Sequence, residues 1–409
     1  MTLIECFDLE CVYNVLGSLG LQPEKAVFLG DGEAMEGMLS RLRRLLQSRG
    51  IKTALMPYHV RMDRIDDITM VLRNILRRED DYVIDITGGS EELILAVGLV
   101  LGEMDKDRRS RIEVQKFDPV TGNAMDADGN GKIITGSRAS LTVAEVISLH
   151  GGVVHPASHQ PGQHYRPSDV LPLWNAMCAD RKEWNKAVMA LNEFEARCDS
   201  DHEIYLRLEE LHGSVNQFRA KEDRMWWLLE KLSSCGVIDD RSSGEVFHYR
   251  YLDPLLHSCA QKAGNLLEIM VLLQARACKL DGESYFDDCQ MSVSIDWDGV
   301  VHQPVQQISD TCNEIDVIAT RGQVSLFISC KNGEIGEEEL YKLNTVAGRF
   351  GGKYARKMLV ATDLERKSPS SIRAFLQRAK DMNIHVVQDA AELTKEGWQQ
   401  IFIDAMNLK

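Results

Sequence analysis

Glu314, Asp316, Ser329 and Lys331 have the types and spacing for metal-assisted chemistry on a phosphate. The segment Asn313-Glu314-Ile315-Asp316-Val317-Ile318, then Arg321-Gly322, then Val324-Ser325-Leu326-Phe327-Ile328-Ser329-Cys330-Lys331, reads as two strands joined by a tight turn. Side chains alternate along a strand. Glu314 and Asp316 therefore point the same way, as do Ser329 and Lys331, while Val324, Leu326, Ile328 and Cys330 take the opposite face. Adjacent carboxylates suit a hard divalent cation, and a lysine beside them can stabilise charge on a phosphate or orient an attacking water. A solvated hairpin with a surface ion pair would satisfy the same pattern.

The elements that must hold this cluster are legible around it. From residue 254 onward the pattern is helix, three strands, helix, strand. Gly264-Asn265-Leu266-Leu267-Glu268-Ile269-Met270-Val271-Leu272-Leu273 is an apolar helix interrupted by Glu268. A carboxylate in such a face is costly unless partnered, and a cation shared with Asp316 would partner it. The alternative is a glutamate whose head reaches water at the helix edge. A strand at Gln290–Trp297, a helix at 336–350 and a strand at Lys357–Thr362 complete a small α/β unit. Residues 341–383 carry ten Lys/Arg (342, 349, 353, 356, 357, 366, 367, 373, 378 and 380) against acids at 363, 365 and 381. Such a basic stretch beside a cation site suits a phosphodiester, although exposed helix faces also carry such runs.

The first 150 residues alternate strands near Leu3–Cys6, Ala26–Leu29, Thr53–Met56, Tyr82–Ile86 and Ile112–Phe117 with helices near 10–20, 33–50, 66–77 and 90–104. Alternation of this kind predicts a parallel sheet covered on both faces, with ligands at the carboxyl ends of its strands. Those ends are Gly30-Asp31-Gly32 and Thr87-Gly88-Gly89-Ser90. The second offers backbone N–H groups to an anion at a helix N-terminus, unless Ser90 is simply the helix cap. Asp126-Ala127-Asp128-Gly129-Asn130-Gly131 imitates a calcium loop, but its twelfth position is Ser137 and strands flank it, so it reads as a hairpin turn.

Residues 150–167, rich in Gly, Pro and His, read as a linker whose irregularly spaced histidines (150, 155, 159, 164) make a poor metal site. Residues 168–235 read as helical, with Trp174, Trp184, Trp226, Trp227 and Leu228 on apolar faces, followed by a winged-helix-like stretch to Tyr251. No Arg/Lys cluster marks a recognition helix there. The expected division is residues 1–150, 151–253 and 254–409.

The 409 residues exceed one ordinary core, and 44% hydrophobic with 27% charged residues is a globular composition. A net charge of −15 argues against indiscriminate coating of nucleic acid. The ten cysteines form no C-x-x-C pair, which predicts reduced thiols. No apolar run reaches the roughly 18–20 residues of a membrane span. The expectation is a cytoplasmic protein with no membrane partner.

Helix Glu268, strand Asp316 and Lys331 ending the next strand resemble the PD-(D/E)XK nuclease core. Gly264-Asn265-Leu266-Leu267-Glu268, Asn313-Glu314-Ile315-Asp316-Val317, Ser329-Cys330-Lys331-Asn332 and Leu340-Tyr341-Lys342-Leu343 more specifically resemble the CARF-nuclease effectors of type III CRISPR systems, the Card/Can type. Asp85-Ile86-Thr87-Gly88-Gly89-Ser90 resembles the CARF signature after the fourth strand. The similarity runs in matching order over nearly the whole chain.

The resemblance implies an N-terminal Rossmann-like CARF domain, a helical or winged-helix-like connector and a C-terminal restriction-endonuclease-like α/β domain. Glu268, Asp316 and Lys331 would be catalytic, with Glu314 and Ser329 beside them, and Glu268, Glu314, Asp316 and Cys330 the metal candidates for Mn²⁺ or Mg²⁺. Gly30, Asp31, Gly32, Thr87, Gly88, Gly89, Ser90 and Glu91 would line the site of a cyclic oligoadenylate, cyclic tetra-adenylate by the resemblance. The implied assembly is a homodimer whose paired sensor domains share one such ligand, switching on cleavage of single-stranded DNA and RNA, with nicking of supercoiled DNA in addition. Two departures stand out. Ser329 occupies the place of an acid two residues before the lysine, and Glu91 the place of a lysine after the Gly-rich turn. Two other readings follow: a non-catalytic nucleotide sensor regulating transcription through the winged-helix-like segment, and a sensor domain that cleaves its own ligand.

Overall fold

The computed structural model describes residues 1–118, 120–127, 131–134, 136, 138–155, 165–198, 203–209, 217–261, 263–300, 312–333, 335–362, 364 and 368–407. Of the residues singled out in the sequence, Asp128, Gly129, Asn130, Ser137, His159, His164, Arg366 and Lys367, with the acids at 363 and 365, lie outside the described residues.

Strands β1 (Thr2–Cys6), β2 (Lys25–Gly30), β3 (Ala54–His59), β4 (Tyr82–Asp85), β5 (Ile112–Phe117) and β6 (Ala124–Asp126) form one sheet in the order β3-β2-β1-β4-β5-β6. All neighbours are parallel except β5 and β6. Helices α1 (Tyr13–Leu21) and α2 (Gly32–Ser48) cover the face carrying Leu3, Phe28 and Val83. Helices α3 (Ile65–Leu76) and α4 (Glu91–Gly102) cover the face carrying Ile4, Val27, Leu29 and Ile84. Burial on both faces explains why these strands read as continuous apolar runs. The chain builds outward from β1 through β2 and β3, then returns to β4 on β1's other side. The crevice between the carboxyl ends of β1 and β4 is therefore the switch point where such sheets bind ligands. The imitation calcium loop is flanked as a hairpin turn would be: Asp126 N–H donates to Lys132 O at 2.9 Å, and Met125 bridges Ile133.

A short four-residue helix, α5 (Lys106–Arg109), precedes β5, and α6 (Val143–Leu149) leads out of this unit. The second sheet has the order β17-β16-β15-β14-β13-β7. Its members are β7 (Val153–Val154), β13 (Asp288–Asp296), β14 (Cys312–Arg321), β15 (Val324–Lys331), β16 (Arg356–Ala361) and β17 (Ile384–Val387). β13, β14 and β15 are antiparallel neighbours, whereas β15, β16 and β17 are parallel. Its edge strand β7 comes from the segment read as linker.

β15 is a central strand buried on both faces, so the solvated-hairpin reading of Asp316 and Lys331 does not hold. One face, with Val317, Ala319, Leu326, Ile328 and Cys330, packs on helix α11 (Ala263–Ala277). The other, with Ile318, Phe327 and Leu359, packs under α12 (Glu338–Phe350) and α13 (Pro369–Asp381). A last helix, α14 (Lys395–Asn407), completes the unit.

Along the chain, helices α7 (Pro167–Ala179), α8 (Arg181–Glu195), α9 (Phe218–Ser234) and α10 (Pro254–Gln261) come between β7 and β13. With them is a small sheet of β8 (Glu203–Arg207), β10 (Val246–Tyr251) and β9 (Ile238–Asp240), in that order; a two-residue pair, β11 (Lys279–Leu280) and β12 (Glu283–Ser284), follows α11. The helix-then-hairpin order read from the sequence is present. Trp184, Phe194, Phe247 and Tyr249 belong to the same buried cluster as Leu266, Leu267 and Ile328, so the connector and the second α/β unit share one core.

Candidate active site and ligand pocket

Asp316 and Ser329 face each other one step beyond the Val317–Ile328 pairing of β14 and β15. Asp316 Oδ2 accepts the Cys330 backbone N–H at 2.6 Å and the Ser329 hydroxyl at 3.3 Å. These bonds fix the carboxylate at the end of the sheet. Lys331 Nζ lies 3.9 Å from Asp316 and 3.1 Å from Glu339, a residue of the first turn of α12. Burial pushes the Asp316 carboxyl above its usual range, against the downward pull of the Cys330 N–H, Lys331, Ser329 and Lys342. Burial alone would weaken the Lys331 ammonium. Asp316 and Glu339 outweigh it and hold the pKa of Lys331 above the ordinary lysine value.

Glu268 is half-buried on α11, and its charge and that of Asp316 both act on the Cys330 thiol. Burial, Asp316 and Glu268 together push that thiol far above its usual range, so it keeps its proton; a thiol must lose that proton to bind a metal. Cys330 packs into the core on the α11 face. Glu314 is exposed and lies opposite Ser294, two residues or roughly 6–7 Å along the strand from Asp316. Two charged groups near Asp316 were not singled out as site residues in the sequence, Glu339 and Lys342. The signal available was the helix N-terminus that follows Lys331, with its run of glutamates.

Among the described residues no group of three or more His, Cys, Asp or Glu side chains is placed to hold a metal ion. The nearby donors, the carboxylates of Asp316 and Glu268, are hard oxygen ligands. They fit a Mg²⁺-like cation, which binds through one or two carboxylates and completes its shell with water and substrate phosphate.

Three members of the basic stretch are engaged elsewhere. Lys357 donates to Asn344 Oδ1 at 2.7 Å and Met382 O at 2.5 Å, Arg356 to Met406 O at 3.2 Å, and Arg378 to Glu337 at 2.8 Å. Of that stretch, Lys342 acts on Asp316. The strand end is also tied to the connector. Asn332 Nδ2 donates to Asn185 Oδ1 of α8 at 3.0 Å, and Thr362 Oγ1 donates to Asn332 Oδ1 at 2.7 Å. Arg181 of α8 reaches Thr362 O at 2.8 Å and Asp389 at 3.0 Å.

In the first unit a cavity of about 420 Å³ opens over the carboxyl ends of β1, β2 and β4, lined by Phe7, Asp8, Leu9, Asp31, Glu33, Ala34, Met62, Gly89 and Ser90. The Gly-rich turn is built by its neighbours. Asp85 accepts the Thr87 N–H at 2.8 Å and also the Thr87 hydroxyl, and Thr87 Oγ1 accepts the Phe117 N–H at 2.8 Å. Gly89 has φ +95°, and a Cβ there would sit 2.5 Å from Cys6 Cβ; one on Gly88 would sit 2.8 Å from Asp8 Cβ. No larger residue fits either position.

The N–H groups of Thr87 and Gly89 are used inside the protein, the latter by Asp8 Oδ2 at 2.9 Å, and Ser90 caps α4 by accepting the Leu93 N–H at 3.4 Å. The structure thus brings Asp31, Gly89 and Ser90 into one cavity, with Gly30, Gly32, Thr87 and Gly88 as chain neighbours and Glu91 exposed at the first turn of α4. Asp8 and Glu33, which the sequence did not single out, make the rim acidic.

The loop that lines this cavity also touches the second unit. Glu10, whose N–H donates to Asp8 Oδ1 at 2.7 Å, accepts the Lys353 N–H at 2.7 Å and lies 3.1 Å from His150 Nε2. Tyr13 meets Tyr354 edge-on with ring centroids 5.8 Å apart. Elsewhere on this contact Thr320 donates to Leu141 O at 2.7 Å, and Asp288 accepts the Val143 N–H at 2.9 Å.

No helix among the described residues is long and apolar enough to cross a membrane. No protein-family model and no curated protein matches the chain in sequence. Solved structures match it in fold. Protein VC1899 from Vibrio cholerae superposes with a TM-score of 0.71 at 16% identity, covering 100% of this chain and 99% of that one. Can2 from Sulfobacillus thermosulfidooxidans, solved in complex with cyclic tetra-adenylate, superposes with a TM-score of 0.64 at 15% identity, covering 99% of this chain and 97% of that one. Coverage of that extent includes both sheets and the connector together, so the chain has, over its full length, the mixed α/β architecture seen in Can2.

Proposed function

We propose that this chain is a cyclic oligoadenylate-activated, divalent-metal-dependent endonuclease of type III CRISPR antiviral defence, cutting single-stranded DNA and RNA. In this reading residues 1–150 are a CARF sensor domain, 151–253 a connector and 254–409 a PD-(D/E)XK nuclease domain. The protein is a cytoplasmic homodimer, its paired pockets sharing one cyclic tetra-adenylate. The observation that carries the reading is the full-length fold shared with Can2, a protein solved with cyclic tetra-adenylate.

Asp316 and Glu268 would hold the Mn²⁺ or Mg²⁺, which when bound supplies Lewis-acid polarisation of the phosphate and a more acidic water. Asp316 is held in place by the Cys330 N–H and Ser329. Lys331, charged at neutral pH, stabilises the negative charge that grows on the phosphate, and Lys342 adds a second cation acting on Asp316. Activation requires that the ligand bind the cutting arrangement more tightly than the resting one.

The test is cleavage of labelled single-stranded DNA and RNA by purified protein with Mn²⁺ and cyclic tetra-adenylate. Asp316→Ala should lower the rate by about a hundredfold or more, as removal of a group acting in the transition state does. No cleavage by the parent, or equal cleavage by the variant, rejects the reading. The transcription-regulator alternative predicts duplex binding that survives Lys331→Ala in a gel shift. It is disfavoured by α9, whose Lys221 and Arg224 are engaged by Glu193 and Glu183 of α8 at 2.5 and 2.9 Å.

A further inference from the structure

Position 329 leaves the strand one carboxylate short of the pattern its neighbours suggest. Ser329 is 7% exposed and donates its hydroxyl to Asp316, so it brings no charge to the site. Glu314, two residues from Asp316, is exposed. Glu339 is instead the acid in contact with Lys331, at 3.1 Å, and it reaches in from a different element. It sits in the first turn of a 13-residue helix, where the peptide dipoles favour a carboxylate and the helix fixes its direction.

The two distances to Lys331 decide what this contact does. At 3.1 Å from Glu339 the ammonium is within hydrogen-bond reach, and at 3.9 Å from Asp316 it is outside it. Removing Glu339 would leave Asp316 as the nearest acid. A half-buried ammonium does not remain unpaired, so it would move onto Asp316 and occupy the carboxylate that would hold the cation.

We propose that Glu339 is a positioning residue of this site: from helix α12 it holds the Lys331 ammonium away from Asp316. The inference rests on the nuclease reading above, and its decisive measurement does not require catalysis. Mn²⁺ is titrated calorimetrically into the full-length protein without nucleic acid. Glu339→Gln is expected to weaken Mn²⁺ binding about tenfold, because Lys331 then competes for Asp316. Combining it with Lys331→Met should restore the affinity, since the competing cation is gone. With single-stranded DNA, Mn²⁺ and cyclic tetra-adenylate, Glu339→Gln should lower kcat about tenfold with KM within about twofold, and Glu339→Asp should recover part of the loss.

Mn²⁺ binding and kcat unchanged in Glu339→Gln would overturn the proposal. So would a weakened affinity that the added Lys331→Met fails to restore, because Glu339 would then be a direct ligand. A parent protein that binds Mn²⁺ but cuts no strand sinks the nuclease reading alone, and the calorimetric comparison still judges Glu339.

Discussion

Burial decides the chemistry of individual side chains here more than residue type does. Glu5 shows this away from either site. It is 2% exposed under α1, its Oε1 has no hydrogen-bond partner, and Asp85 lies beside it. Burial and then the Asp85 charge push its carboxyl well above the usual range, and burial pushes Asp85 up to about 6. For an acid raised in the folded state the sign is fixed. As pH climbs out of the ordinary carboxylate range, the unfolded chain gives up a proton that the folded one keeps, and stability falls by about 1.4 kcal/mol per pH unit per group. Thermal unfolding between pH 5 and 8 should therefore show a falling midpoint for the parent and a shallower fall for Glu5→Gln, the variant being the more stable at pH 8. A parallel pH dependence in the two proteins would refute this account. Asp85 meanwhile explains its own motif, because its carboxylate organises Thr87 and hence the turn.

At the scale of elements, one turn and one helix do the positioning. The β4–α4 turn closes on the end of β1 so tightly that Gly88 and Gly89 have no room for a Cβ, and Gly89 also has φ +95°. Gly89→Ala should cost about 2 kcal/mol or more in denaturant unfolding and displace Asp8 from its bond with the turn; a loss under about 0.5 kcal/mol would contradict the geometry. Helix α8 ties both halves of the candidate cluster to the connector. Its first turns bind Asn332 and Thr362 beside Lys331. Its last residue, Glu195, accepts from Tyr249 at 2.9 Å, Tyr251 at 2.6 Å and Gln261 at 3.2 Å, the last of these on the helix just before α11 and Glu268.

At the scale of the molecule, the cavity-lining loop is shared between the two units. Phe7, Asp8 and Leu9 face the cavity, while Glu10 grips the turn after α12, the helix that carries Glu339 and Lys342. Burial works against the Glu10 charge, but His150 and the Lys353 N–H outweigh it, so its carboxyl is held below the usual range. An acid lowered in the folded state contributes stability that is present above the unfolded pKa and lost as pH falls through the folded one. Glu10→Gln should speed amide hydrogen exchange at Lys353 about tenfold at neutral pH, the size of one charge-assisted hydrogen bond. In the parent the same exchange should accelerate on acidification relative to its intrinsic rate. Unchanged protection in the variant would show that the contact does not hold the units together.

The amino-acid sequence by itself determined what is local. Period-two alternation set the facing of Asp316, Ser329 and Lys331, the α/β alternation set the parallel sheet, and the Gly-Gly pair marked the strand-to-helix turn after β4. What only the tertiary structure decided were encounters between elements far apart in the chain. A hairpin pattern does not reveal that α11 and α12 will bury both its faces, and a run of glutamates does not reveal which one meets a lysine eight residues earlier. Charge counted along a sequence ignores direction: within the basic stretch, Arg356, Lys357 and Arg378 spend theirs on carbonyls, an amide and Glu337. The opening cluster was visible because it lies on one hairpin. Glu339 was not, because its place beside Lys331 is set by how α12 crosses the sheet.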